Sequence, residues 1–261
     1  MQSAEIKKYY STQSPRSKIS AAFAAGFPAD PLEIMKQVRK SLIHPCENPA
    51  YFFHSNWPWF SNAANIEHEL KTQKIVAAKC REFAMLSVAV MRAKGIPARS
   101  RCGFATYFDP GVFEDHWVVE YYDKGAWRLA DAQTLRLKLS AGEFINGGTA
   151  WQLVRKHGFD PKLFGFTGND KMLGLYYAAA NLIRDVGGLV KDELEYLEEN
   201  DLMWEGHKLS APELARLDVI AELVSKEDLG GLESVFAEMR PGIKLVPWAE
   251  KEYGHLWRAG K

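Results

Sequence analysis

Cys80, His116 and Asp131 follow one another in an order and a setting that nucleophilic catalysis can use. A thiol attacks a carbonyl carbon only as its thiolate. The partial positive charge of the amides at a helix N-terminus favours that form, and Cys80 stands where a strongly apolar helix begins. An imidazole within hydrogen-bond reach can take the thiol proton and return it to a leaving group. A carboxylate on the far ring nitrogen fixes the tautomer and stabilises the imidazolium. The chain supplies one residue of each kind on elements that read as rigid, which a nucleophile–base pair requires.

The positioning elements follow from pattern. From Arg81 to Lys94 nearly every residue is apolar or a good helix former, so this helix is expected to be buried around most of its girth. Gly95 ends it and Pro97 prevents its continuation. Ala98 to Phe108 reads as a strand, with Arg99 and Arg101 on one face and Cys102 and Phe104 on the other. His116–Tyr122 and Trp127–Asp131 read as a hairpin around Asp123-Lys124-Gly125-Ala126. If Tyr122 pairs with Trp127, Val118 falls opposite Asp131 and His116 opposite Gln133. His116 and Asp131 then project from one face as diagonal neighbours.

Cys80 at the head of its helix, the stretches "RAKGIPARSRCGF" and "DHWVVEYYDKGAWRLAD", and their order resemble the transglutaminase-like cysteine enzyme superfamily, in its small stand-alone bacterial form. The resemblance covers about residues 70–135. It implies an α+β fold with a papain-like core, a Cys-headed helix packed on an antiparallel sheet, and extra N- and C-terminal helices. It also implies Cys80 as nucleophile, His116 as base and Asp131 as orienter. On that basis 1–261 is expected to be one domain, with 63–139 the catalytic core and 1–62 and 140–261 mainly helical flanks. Two positions depart from the usual pattern. "AAKC" stands where a Trp or Gly usually precedes the cysteine, and Gln133 stands where a Thr or Ser often follows the Asp by two.

Around the three residues lie weaker candidates. The backbone N–H of Cys80 is one expected oxyanion donor. Gln73, upstream of the cysteine as in papain-like enzymes, or the indole of Trp57 or Trp59 is the second. Arg99 and Arg101 share a strand face and read either as a grip on a substrate carboxylate or as internal ion pairs. Trp57, Trp59, Trp117 and Gln133 complete the candidate substrate contacts. Cys102 reads as core, and Cys46 is unassigned in an aromatic loop. Cys80, His116 and Asp131 are also zinc-ligand types, but no short C-x-x-C or H-x-x-x-H spacing supports a metal, and no cofactor is expected.

Composition bounds the rest. With 261 residues the chain can bury roughly three quarters of its unfolded surface without staples. The 33 basic and 33 acidic residues cancel, which argues against a nucleic-acid partner. The N-terminus has no apolar signal region and no window reaches membrane-spanning length, so no membrane association is expected. Three cysteines do not make a disulfide framework, and a cytoplasmic setting with reduced thiols is expected.

Asp30-Pro31-Leu32-Glu33 marks a helix start, running to Leu42–Ile43, and a further helix is expected over Ala63–Gln73. After Leu135, helices are expected near Ala150–His157, Lys171–Asp185, Asp192–Glu199, Ala211–Val224 and Leu229–Met239. The acidic "KDELEYLEEND" reads as a solvated helix face. The expected function is an amidase, peptidase or acyltransferase acting on a small-molecule or peptide amide or ester. Its thioester acyl-enzyme would pass to water or to an amine. The alternatives are an inactive binding protein of the same fold or a zinc-dependent hydrolase. Oligomeric state is not set by the sequence.

Overall fold

A computed structural model describes residues 3–48, 61–168 and 172–251. These form two compact units. One comprises the residues up to Ser100 together with Trp117–Leu139. The other comprises Arg101–His116 together with Ser140–Glu250.

The first unit opens with α1 (Ser3–Tyr10) and α2 (Ala21–Ala25). The helix α3 (Pro31–Ser41) starts where the capping signature places it, with the Asp30 carboxylate accepting from the amides of Leu32 and Glu33 at 2.9 and 3.1 Å. Its last expected residues instead form a short strand, β1 (Leu42–Ile43), which pairs in parallel with β2 (Val76–Ala77). Between them lies α4 (Ala63–Glu69). Then comes α5 (Cys80–Ala93), buried at every position from Cys80 to Arg92. Gly95 at φ +75° terminates it, a backbone conformation that glycine adopts without steric cost. The helices α2, α3 and α4 all pack against α5, which is why its sequence is apolar on nearly all sides.

The strands β3 (Ala98–Ala105), β4 (Phe113–Asp123), β5 (Ala126–Ala130) and β6 (Phe144–Asn146) form one sheet in the order β5-β4-β3-β6, and β7 (Phe164–Gly165) pairs in parallel with β4. The division between the two units falls within β3 and within β4. The hairpin has the expected register, Tyr122 opposite Trp127, closed by Lys124 at φ 49° and Gly125 at φ 88°. Two successive positive φ values are those of the two-residue turn whose twist matches paired strands.

The ladder is shorter than expected. It ends at Val119 opposite Ala130, and Asp131 forms an isolated bridge with Arg136 in place of a pair with Val118. The reason is local: the Asp131 carboxylate takes the amides of Gln133 and Thr134, which turns the chain out of the strand.

In the second unit α6 (Gly147–His157), α7 (Leu175–Leu189), α8 (Ala211–Ser225) and α9 (Leu229–Met239) pack on one another, while α6 and α7 also cover β6. Gly147 is required at the α6–α7 crossing, because a Cβ there would come within 2.4 Å of the Asn181 carbonyl oxygen. Gly103 serves β3 in the same way, 2.1 Å from where the Ile145 carbonyl oxygen would meet a side chain. The fold class is α+β, as expected.

The stretch Asp192–Glu199 corrects the expectation. It is not a helix; it leads into β8 (Glu198–Glu199), which pairs antiparallel with β9 (Lys244–Leu245). Nor is it solvated, since Glu193, Glu195 and Glu198 are buried. The charges of Glu195 and Glu198 are met from inside. Glu195 accepts from the Leu197 amide, and Glu198 accepts from the Glu195 amide and from Arg240.

Candidate active site

Cys80 is the first residue of α5 and is buried. Lys79 precedes it in extended conformation and caps nothing with its side chain. Glu82 does that work by reaching back to accept from the Lys79 amide at 2.9 Å. Glu82 is itself gripped by Arg81 at 2.8 Å, and Arg81 also donates to the Ser61 carbonyl. Arg81 and Glu82 are both fully buried, so the turn that carries the thiol is fixed from below.

Asp131 is fully buried in the same unit. Its Oδ1 accepts from the amides of Gln133 at 2.8 Å and Thr134 at 3.2 Å, and its Oδ2 accepts from the Thr134 hydroxyl at 2.6 Å. The hydroxyl expected two residues after the aspartate is therefore supplied three residues after it. The "DAQT" sequence carried this signal, because a Ser or Thr three residues past an Asp closes such turns.

His116 lies on β4 at the edge of the second unit, immediately before Trp117 of the first. Its ring is buried and meets the rings of Phe108 at 5.0 Å and Tyr107 at 6.1 Å, both edge-on. Phe108 is exposed, an aromatic surface beside the imidazole.

The preceding residue, Asp115, fastens this end of β4 to α7. It accepts from Asn181 at 2.7 Å and from the Tyr177 hydroxyl at 3.2 Å, while Asn181 also donates to the Gly103 carbonyl. Burial, with the Asp115 charge added, pushes the Tyr177 phenol well above its ordinary value, so it stays a donor. Burial likewise pushes the neighbouring Glu114 carboxyl up, against the pull of its hydrogen bonds to Thr167. Nothing in the local sequence pointed to Asn181 or Tyr177, which lie more than sixty positions away.

The weaker candidates separate. Gln73 is exposed, and its carboxamide donates to Glu69 at 2.6 Å. Arg99 pairs with Glu120 at 2.6 Å and lies over the rings of Trp127 and Tyr10, while Arg101 meets both oxygens of Asp185 at 2.8 and 2.9 Å. Each guanidinium thus holds a carboxylate of this chain, the internal ion-pair reading. Trp117 is fully buried, and alternation along β4 turns it to the sheet face opposite His116.

Gln133 is buried, with its Oε1 lacking a hydrogen-bond partner. Trp57 and Trp59 lie outside the described residues. Cys102 is buried and Cys46 exposed. Among the described residues, no group of three His, Cys, Asp or Glu side chains is arranged to hold a metal ion, and no helix is long and apolar enough to cross a membrane.

Residues 25–132 match the family model described as Transglutaminase-like superfamily, a span that contains Cys80, His116 and Asp131 and fewer than half of the 261 residues. No curated protein matches the chain. A crystal structure described as "a Putative Cysteine Protease from Cytophaga hutchinsonii" is similar at 20% identity with a TM-score of 0.37, over 56% of this chain. The match spans 46% of that protein, less than half of its length.

Proposed function

Given that the chain carries a transglutaminase-like superfamily domain over residues 25–132, we propose that it is a cysteine enzyme attacking an amide or ester carbonyl through Cys80. His116 is the base and Asp131 its orienter. The observation that carries this reading is the position of Cys80 as the first residue of a buried helix whose opening turn is fixed by the Arg81–Glu82 pair. It is supported further by the burial of Asp131 in a turn that holds both of its oxygens, and by the aromatic rings that hold His116.

The chemistry runs in two halves. His116 takes the Cys80 proton, and the thiolate sulfur bonds to the carbonyl carbon. The Cys80 amide at the helix end stabilises the oxyanion. The C–N or C–O bond then breaks, His116 returns the proton to the leaving amine or alcohol, and a thioester remains. Water or an amine, deprotonated by His116, attacks that thioester and releases an acid or a new amide with the free thiol. The substrate class we propose is a small molecule or peptide bearing an amide or ester.

The test is turnover of a panel of p-nitrophenyl esters and amino-acid p-nitroanilides by the wild type, Cys80→Ala and His116→Ala. The expected result is turnover that needs Cys80 and falls by at least about 10³-fold without either residue. Full turnover by Cys80→Ala contradicts the proposal.

A further inference from the structure

Gln133 is only 9% exposed, and its side-chain oxygen Oε1 has no hydrogen-bond partner. Its backbone amide is tied to Asp131 Oδ1 at 2.8 Å, which sets the residue's place in that turn. A buried amide oxygen without a donor is costly, and folded chains pair such groups wherever packing allows. An apolar side chain of the same length would fill the space at less cost. The residue lies just past the end of the family match at 132 and two positions from the proposed orienter, where that match assigns it nothing. A buried acceptor without a partner fits a group whose donor arrives with the ligand.

We propose that Gln133 is a specificity-determining residue that accepts a hydrogen bond from an N–H of the substrate beside the carbonyl attacked by Cys80. It would thereby select N–H-bearing amides, such as peptides, over esters and N,N-dialkyl amides. The inference rests on Cys80 as the nucleophile. The physical logic is that a site built to pair a substrate N–H rejects the analogue lacking it, because its own acceptor is then left buried and unpaired.

Two alkylating agents of nearly equal size test this without knowledge of the natural substrate. Iodoacetamide carries N–H donors, and 2-iodo-N,N-dimethylacetamide carries none. Their rates at Cys80 are measured in a Cys46→Ser background, to remove the exposed thiol, and referred to the same ratio for glutathione. The wild type should favour iodoacetamide by roughly 3- to 10-fold beyond glutathione, the worth of one neutral hydrogen bond. Gln133→Met should return the ratio to that of glutathione, with a melting temperature equal to or above that of the wild type.

A wild-type ratio equal to that of glutathione overturns the proposal. So does a Gln133→Met protein that melts several degrees lower or fails to fold, because the carboxamide would then be structural. The failures of the two readings are distinguishable. Full ester turnover by Cys80→Ala removes the catalytic reading and this proposal with it, whatever the ratio. Turnover that needs Cys80 alongside a ratio indifferent to Gln133 overturns this proposal alone and leaves the catalytic reading standing.

Discussion

Asp131 and Asp185 are both fully buried carboxylates, one in each unit, and they are held in opposite ways. Asp185 meets Arg101 through two parallel hydrogen bonds of 2.8 and 2.9 Å and also takes the Cys102 amide. Each charge of that pair answers the other, which makes it a strut between β3 and α7. Asp131 receives neutral donors, two amides and a hydroxyl of its own turn. Those donors set where its oxygens sit. Burial alone therefore does not say how a carboxylate is used; under the proposed function Asp185 is a strut and Asp131 is placed for chemistry.

The contrast can be broken by substitution. Asp131→Asn keeps an acceptor for the Gln133 amide but removes the charge that would steer His116. Turnover should fall by about 10⁴-fold while the melting temperature moves little. Asp185→Asn should do the opposite. It leaves the Arg101 guanidinium buried without its counter-charge, at a cost of about 3–5 kcal/mol, read as a lowered denaturant midpoint. If Asp131→Asn proved the more destabilising of the two, the distinction between strut and placed carboxylate would be lost.

Thr134→Val sharpens the comparison at smaller scale. It removes one hydroxyl donor from Asp131 Oδ2, for about 1 kcal/mol of stability, and should lower kcat with KM unchanged if the carboxylate is held for chemistry.

The smallest effect concerns an exposed counterpart of the Asp131 turn. Glu213 is held down to about 2 by the Ser210 hydroxyl and amide and by His207. A lowered acid stabilises the fold above its unfolded value of 4.5, and that contribution is lost as pH falls towards 2. Glu213→Gln should therefore flatten the pH dependence of the melting temperature across that window.

What the sequence made legible was local and periodic. The run from Arg81 to Lys94 announced a buried helix, and Lys124-Gly125 announced the turn and register of the β4–β5 hairpin. Cys80, His116 and Asp131 could be nominated because Cys80 heads that helix, His116 lies on β4 and Asp131 follows β5 directly. What stayed hidden depends on partners distant in the chain. Glu120 and Asp185, which meet Arg99 and Arg101, lie 21 and 84 positions away, so no spacing rule could choose between a substrate grip and an ion pair. Glu195 and Glu198 were misread because a charge count cannot tell a solvated carboxylate from one satisfied by amides and by Arg240. The Thr134 hydroxyl was within reach of the sequence, one residue later than the family pattern places it.

The pairing of thiol and imidazole is tested most directly by the rate at which iodoacetamide labels Cys80 at neutral pH. The measurement uses Cys46→Ser protein, with and without His116→Ala, and locates the label by peptide mass. If His116 takes the Cys80 proton, labelling should outpace that of free glutathione, and His116→Ala should slow it at least about tenfold. Equal rates in the two proteins, no faster than glutathione, would contradict the thiol–imidazole pair.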